Sequence, residues 1–340
     1  MKSWKKYMVF LVVALTLQSC DDKTTVVPAP APSALAKGAD VSWITEMEAS
    51  GIQFYNTGGA AVDGIKLLQS LGMDAVRLRV WVDPQNGWCN KEDLLVKARR
   101  AKHLGMRLMV DFHYSDSWAD PGQQTKPAAW ADLSFEQLKA AVAQHTQEVL
   151  QLLKSNAITP EWVQVGNETG NGMLWDEGKA SVNMANYAAL NNAGYDAVKA
   201  VFPEAKVIVH VHNGYDNDLF RWLFDGLKTH GGKWDVIGMS LYPTKDNWQQ
   251  RNSECLRNIE DMGNRYGSEV MICEVGMSWD DAEVAELWLT YLLQAVNKLP
   301  DHRVLGVFYW EPLAYAGWNG YTLGAFDNDG RPTRVFNAFK

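Results

Sequence analysis

Eight short apolar runs recur along this 340-residue chain, and nearly every gap between them is long enough to hold a helix. The runs lie at 38–43, 75–81, 107–113, 162–167, 206–212, 236–242, 269–274 and 304–310. A strand that reads as a near-continuous apolar segment has to be covered on both faces, which is the mark of a parallel sheet. Between the runs, helical periodicity appears at 60–71, 91–104, 134–154, 181–201, 216–230, 249–266 and 282–299. Several of these stretches stop at glycine, as at Leu71-Gly72 and Leu104-Gly105, where a left-handed cap is accessible without a Cβ clash. Repeated strand–helix units with no second linker predict one α/β domain, a single (β/α)8 TIM barrel over residues 37–340. A doubly wound open sheet would call for a glycine-rich phosphate loop after the first strand, and none follows it.

In such a barrel the chemistry gathers where the strands end. The C-terminal tips here carry Asp40, Arg79, His113, Asn167, Glu168, Tyr242, Glu274, Trp310 and Glu311, while the opposite tips carry tight turns such as Gly72-Met73-Asp74. The polar groups are therefore expected to share one cleft. The chain has 15 tryptophans, and Trp81, Trp88, Trp118, Trp175, Trp279, Trp310 and Trp318 fall at or just beyond strand tips. Flat rings there suit sugars, whose apolar C–H faces pack on indole while their hydroxyls seek polar partners. A net charge of −8, with no basic run after the first few residues, argues against a nucleic-acid partner.

The first 19 residues read as an export signal: Lys2, Lys5 and Lys6 precede an apolar stretch, Met8 to Leu17, too short to span a bilayer as an ordinary helix. Leu17-Gln18-Ser19-Cys20 resembles a bacterial lipobox, with Gln18 where a small residue is usual. That resemblance makes Cys20 the lipidated first residue of the mature chain. Residues 20–36, rich in Pro, Ala and Thr, would be the tether of a membrane-anchored lipoprotein facing the cell surface. A plain secretory signal is the alternative. The remaining cysteines, Cys89, Cys255 and Cys273, have neither disulfide-framework nor zinc spacing.

Two runs end on glutamate in the same manner: Trp162-Val163-Gln164-Val165-Gly166-Asn167-Glu168 and Val270-Met271-Ile272-Cys273-Glu274. Either glutamate alone is compatible with a strand-end salt bridge. Two carboxyls facing one cleft are what glycosidic cleavage requires, one to protonate the leaving oxygen and one to attack or stabilise the anomeric carbon. The Asn167-Glu168 and Glu274 pair resembles that of the clan A glycoside hydrolases. Val76-Arg77-Leu78-Arg79-Val80-Trp81, together with Asp111-Phe112-His113-Tyr114-Ser115-Asp116-Ser117-Trp118-Ala119-Asp120-Pro121, is similar to glycoside hydrolase family 53.

That resemblance implies endo-β-1,4-galactanase action on pectic galactan and type I arabinogalactan, with retention. Glu168 would be the acid/base and Glu274 the nucleophile. Asn167 would bond the sugar 2-hydroxyl, Tyr242 would hold the nucleophile, and Arg79 beside it would keep it ionised. Asp40, Trp81, Asp111, His113 and Trp310 complete the expected substrate contacts. No cofactor or metal is expected, because the loops after the seventh and eighth strands are short and Asp327-Asn328-Asp329-Gly330 lacks a full calcium loop. The expected partners are the polysaccharide and, through the lipid alone, a membrane, with the protein itself a monomer. Two other readings stay open: a mannanase or cellulase of the same clan, and a non-catalytic glycan-binding lipoprotein.

Overall fold

The computed structural model of the chain describes residues 35–300 and 303–340. The expected signal segment, Cys20 and the tether up to residue 34 lie outside the described residues. The domain starts one residue earlier than expected, because Ala36 already belongs to the first barrel strand.

Eight parallel strands close on themselves in sequence order. They are β1 (Ala36–Asp40), β2 (Ala75–Val80), β3 (Arg107–Phe112), β4 (Trp162–Val165), β5 (Lys206–Val211), β6 (Val236–Leu241), β7 (Glu269–Val275) and β8 (Val304–Tyr309). The ring shuts where Ala39 of β1 pairs with Tyr309 of β8 on one side and Val76 of β2 on the other. The helices are α1 (Ile44–Ala49), α2 (Gly64–Ser70), α3 (Lys91–His103), α4 (Phe135–Ser155), α5 (Met184–Val201), α6 (Asn217–Thr229), α7 (Trp248–Tyr266) and α8 (Ala282–Asn297). The expected single (β/α)8 TIM barrel is the fold.

Local capping explains where the helices begin and end. The Ser134 hydroxyl accepts from the Gln137 amide while the Gln137 side chain reaches back, a reciprocal cap that starts α4. Gly267, at φ +67°, closes α7 in the left-handed conformation. Two expected starts are late in the structure. Residues 61–62 pair with Phe54–Tyr55 in a small hairpin, and the Asp63 side chain then caps α2 by accepting from the Lys66 amide. Asn183 does the same for α5 through the Asn186 amide. A capping side chain outweighs the weak apolar periodicity upstream of it.

Side chains alternate between two compartments. Odd-numbered residues of β5 (Val207, Val209, Val211) join the large layer between barrel and helices. Ile208 joins a small plug with Ala36, Ala75, Met109, Trp162, Met271, Cys273 and Phe308 inside the barrel. The plug is tight: a Cβ on Gly38 would lie 2.1 Å from the Phe308 ring. Above it, toward the C-terminal ends, the interior turns polar. There Asp40, Arg77, Asp111, Gln164, His210 and Ser240 are all buried. That switch is what positions the site.

Candidate active site

Arg77 is the hub of the polar layer. It comes from β2, in register with Asp40 of β1. Its guanidinium donates to Gln164 (2.6 Å), Asp40 (2.7 Å), Asp111 (2.9 Å) and Asn167 (2.9 Å). It also ion-pairs with Glu274 Oε1 at 2.9 Å. A buried cation gathering three carboxylates is stable only because every fork position finds an acceptor, which a planar guanidinium can arrange.

Glu274 reaches this layer through a bulge. Met239 pairs with Ile272, but the next residue, Ser240, pairs with Glu274, so Cys273 is an extra residue in β7. In a regular strand neighbouring side chains point to opposite faces. The bulge re-aims the chain, so that Cys273 fills the barrel plug and Glu274 still enters the cleft. Tyr242, just past β6, donates its hydroxyl to Glu274 Oε2 at 2.7 Å.

Glu168 follows β4 on a tight turn, with Gly166 at φ +87° and Glu168 itself at φ +45°. A left-handed glutamate is a strained conformation, of the kind that concentrates at working sites. Ser240 Oγ lies 2.6 Å from Glu168 Oε1, and His210 Nε2 lies 2.8 Å from the same Ser240 oxygen. Asn167 is locked beside them: its Nδ2 donates to the Ala119 carbonyl at 2.8 Å and its Oδ1 lies 3.0 Å from His210 Nδ1.

Burial raises both carboxyls above the ordinary glutamate range, and Arg77 pulls each of them back. Glu274 touches a guanidinium and a tyrosine hydroxyl, both favouring the anion, whereas Glu168 meets only the Ser240 oxygen, which also faces His210. That difference in contacts favours the anion on Glu274 and the shared proton on Glu168. His113 and His210 are both held neutral, chiefly by burial, with Arg77 adding to that push.

The cleft above these groups has a volume of about 840 Å³, within the range of well-formed ligand sites. Trp81, His113, Asn167, Glu168, Tyr242, Glu274 and Trp310 line it, as expected from sequence. Trp88 and Trp118 line it too, whereas Trp175, Trp279 and Trp318 are not part of its wall. Trp43 is an aromatic wall residue that the sequence reading did not single out. Its ring lies 5.1 Å from Trp310 and 5.7 Å from Trp118, edge to face.

Three expected substrate contacts need correction. Asp40, Arg79 and Asp111 are fully buried beneath the cleft and do not line it. Asp40 and Asp111 are occupied by Arg77; Asp111 also holds His113 Nε2 at 3.0 Å. Arg79 is not beside Glu274: Arg77, two residues deeper in the same strand, takes that place. Arg79 instead pairs with Glu311 at 3.4 Å and lies 4.4–5.5 Å from the ring centres of Trp118, Trp81 and Trp43. It is the cationic post under the aromatic wall.

Among the described residues no cluster of three or more His, Cys, Asp or Glu side chains could hold a metal ion. Asp327 Oδ1 is spent on the backbone amides of Asp329 and Arg331, closing a turn. No helix among the described residues is long and apolar enough to cross a membrane.

The profile described as Glycosyl hydrolase family 53 matches residues 36–339. A probable arabinogalactan endo-beta-1,4-galactanase A of Neosartorya fischeri is 34% identical over 298 residues, covering 81% of this chain and 83% of the relative. The endo-beta-1,4-galactanase of Bacillus subtilis is 32% identical over 81% of this chain and 69% of its own length. A solved structure from a study of two fungal beta-1,4-galactanases superposes with a TM-score of 0.81 at 28% identity, covering 89% of this chain and 98% of that one. The chain belongs to glycosyl hydrolase family 53, and it is a glycoside hydrolase.

Proposed function

We propose that this enzyme cuts β-1,4-galactosidic bonds inside pectic galactan and type I arabinogalactan, by double displacement with retention at the anomeric carbon. The observation that carries this reading is the pairing across β6. Ser240 sits in register with Glu274 on one side and touches Glu168 on the other. The two carboxyls also repel one another's charge across this strand, in keeping with the close pair that double displacement uses, whereas inversion needs them far enough apart to seat a water. Glu168, the proton carrier, is the acid/base. Glu274, the anion held by Arg77 and Tyr242, is the nucleophile. Asn167 has one amide hydrogen left for a sugar 2-hydroxyl, and Trp310 is the stacking floor at the cleavage point.

Galactose as the sugar rests on the relatives, which are named as galactanases. The expected result is release of reducing ends from β-1,4-galactan, with little from mannan or cellulose. Viscosity of the galactan should fall early, before mono- or disaccharide accumulates, if the chain is cut internally. Cleavage of mannan or cellulose in preference would assign the cleft to another sugar of the clan. No release from any of the three would leave glycan binding alone.

The protein acts as a monomer in this reading, held at the cell surface by lipid on Cys20. One acyl chain binds a membrane only marginally, but several anchor it stably. Activity should sediment with membranes and become soluble in Cys20→Ala; a wild-type enzyme that is already soluble would reject the anchor.

A further inference from the structure

Three short contacts run from Asn167 to Glu168 through His210 and Ser240, and they do not have enough hydrogens unless Glu168 supplies one. Asn167 cannot turn over, because its Nδ2 donates to the Ala119 carbonyl and its Oδ1 accepts from Arg77. The atom it presents to His210 Nδ1, at 3.0 Å, is therefore an acceptor. Nδ1 must carry the imidazole proton. His210 is fully buried beside Arg77 and stays neutral, so its Nε2 is bare. Nε2 can only accept, and the hydroxyl 2.8 Å away is that of Ser240. That hydroxyl has one hydrogen, yet its oxygen also lies 2.6 Å from Glu168 Oε1. The missing hydrogen is a proton on Glu168.

We propose that Ser240 and His210 are positioning residues that hold Glu168 in its proton-bearing form, the Ser240 hydroxyl turning between His210 Nε2 and Glu168 Oε1 as that proton leaves and returns. The inference rests on Glu168 being the acid/base. In the first step Glu168 gives its proton to the leaving glycosidic oxygen while Glu274 bonds to the anomeric carbon. The Glu168 carboxylate then takes the Ser240 hydrogen bond, and Nε2 loses its donor. In the second step water oxygen bonds to the anomeric carbon as the glycosyl–Glu274 bond breaks and frees the carboxylate, the water's proton goes to Glu168, and the Ser240 hydroxyl returns to Nε2. The chain thus favours the acid form at the start of each turnover.

Other charges act on this chain too. Arg77 on β2, Asp111 on β3 and Asp120 after it, and Glu274 on β7 all face Glu168, with the Tyr242 hydroxyl nearby. Arg77, Asp111, His113 and His212 face His210. None of them supplies the missing hydrogen.

The test compares two directions. In Ser240→Ala the acid form loses two hydrogen bonds, Glu168 to Ser240 and Ser240 to His210, while the carboxylate form loses one, so the basic limb of kcat/KM on galactan should move down by about one pH unit, the scale of one lost hydrogen bond. Ser240→Thr, which keeps the hydroxyl, should restore it. If Ser240 merely donates to a carboxylate, the limb in Ser240→Ala moves up; if it is only packing, the limb stays put. Either result overturns the proposal. A second measurement needs no active variant: ¹⁵N spectra of the histidine-labelled wild-type enzyme, with His210 assigned by its loss in His210→Gln, should show the Nδ1–H tautomer. An Nε2–H tautomer, with Nδ1 accepting the distant Glu168 amide at 3.4 Å, would refute it. The assignment beneath is tested separately: Glu168→Ala should spare aryl galactosides with good leaving groups. Equal impairment on every leaving group would remove the acid/base role whatever the tautomer.

Discussion

Glu274→Ala is expected to lower kcat on galactan by on the order of 10⁵-fold, the scale on which loss of a covalent nucleophile acts. The carboxylate has no understudy. Asp40 and Asp111 are fully buried and spent on Arg77, and Glu168 sits on the opposite side of Ser240. The fold should survive, since Arg77 keeps two carboxylates after the third is removed. Wild type should release the β-anomer first, as seen by NMR on fresh product, and an α-anomer would rule out the double displacement. A pH signature accompanies the loss of activity. Burial raises the Glu274 carboxyl above its ordinary value of 4.5 in the folded protein. A group raised on folding contributes stability that is fully present below its unfolded value and is lost as pH rises through its folded one. The isosteric Glu274→Gln should therefore melt like wild type in acid and above it at alkaline pH. A variant less stable than wild type across the whole range would contradict a Glu274 carboxyl raised by burial.

Much of the barrel was legible because each strand carries its burial in its sequence. Val207, Val209 and Val211 pack outward while Ile208 and His210 face inward, and this two-sided burial is what a near-continuous apolar run encodes. The glutamates were legible as carboxylates stranded at apolar strand ends. What could not be read is depth. Arg77 and Arg79 share one face of β2 by simple alternation, and nothing local says which meets Glu274. The answer depends on the register of β1 against β2, which sets Arg77 beside Asp40, and on the bulge at Cys273, which turns Glu274 inward. Neither leaves a mark in composition. His210 and Ser240 were missed for a similar reason. Each is one polar residue inside an apolar strand, and its role appears only once β4, β5 and β6 stand side by side. Trp43 was hidden differently, at the end of an expected strand that in fact stops at Asp40 and turns into α1.

Arg77→Met should cost the fold about 3–5 kcal/mol and abolish turnover together, the range for removing one partner of a buried ion network. The side chain is 1% exposed, and the carboxylates it leaves behind are equally inaccessible to water. Asp40 would keep Ser42 as a donor and Asp111 would keep His113, but neither is a fixed charge, because His113 is held neutral. The stranded carboxyls can escape only by protonation, so the deficit should shrink as pH falls, which denaturant unfolding at acid and neutral pH would reveal. The same protonation would disarm Glu274, whose anion depends on this guanidinium. Arg77→Lys separates charge from geometry. It restores the positive charge but not the planar fork that reaches Gln164, Asp40, Asp111, Asn167 and Glu274 at once. It should recover part of the stability and little of the activity. A fully active Arg77→Lys would mean that the network needs only charge, and a normally stable Arg77→Met would mean that Asp40 and Asp111 are already neutral in the native enzyme.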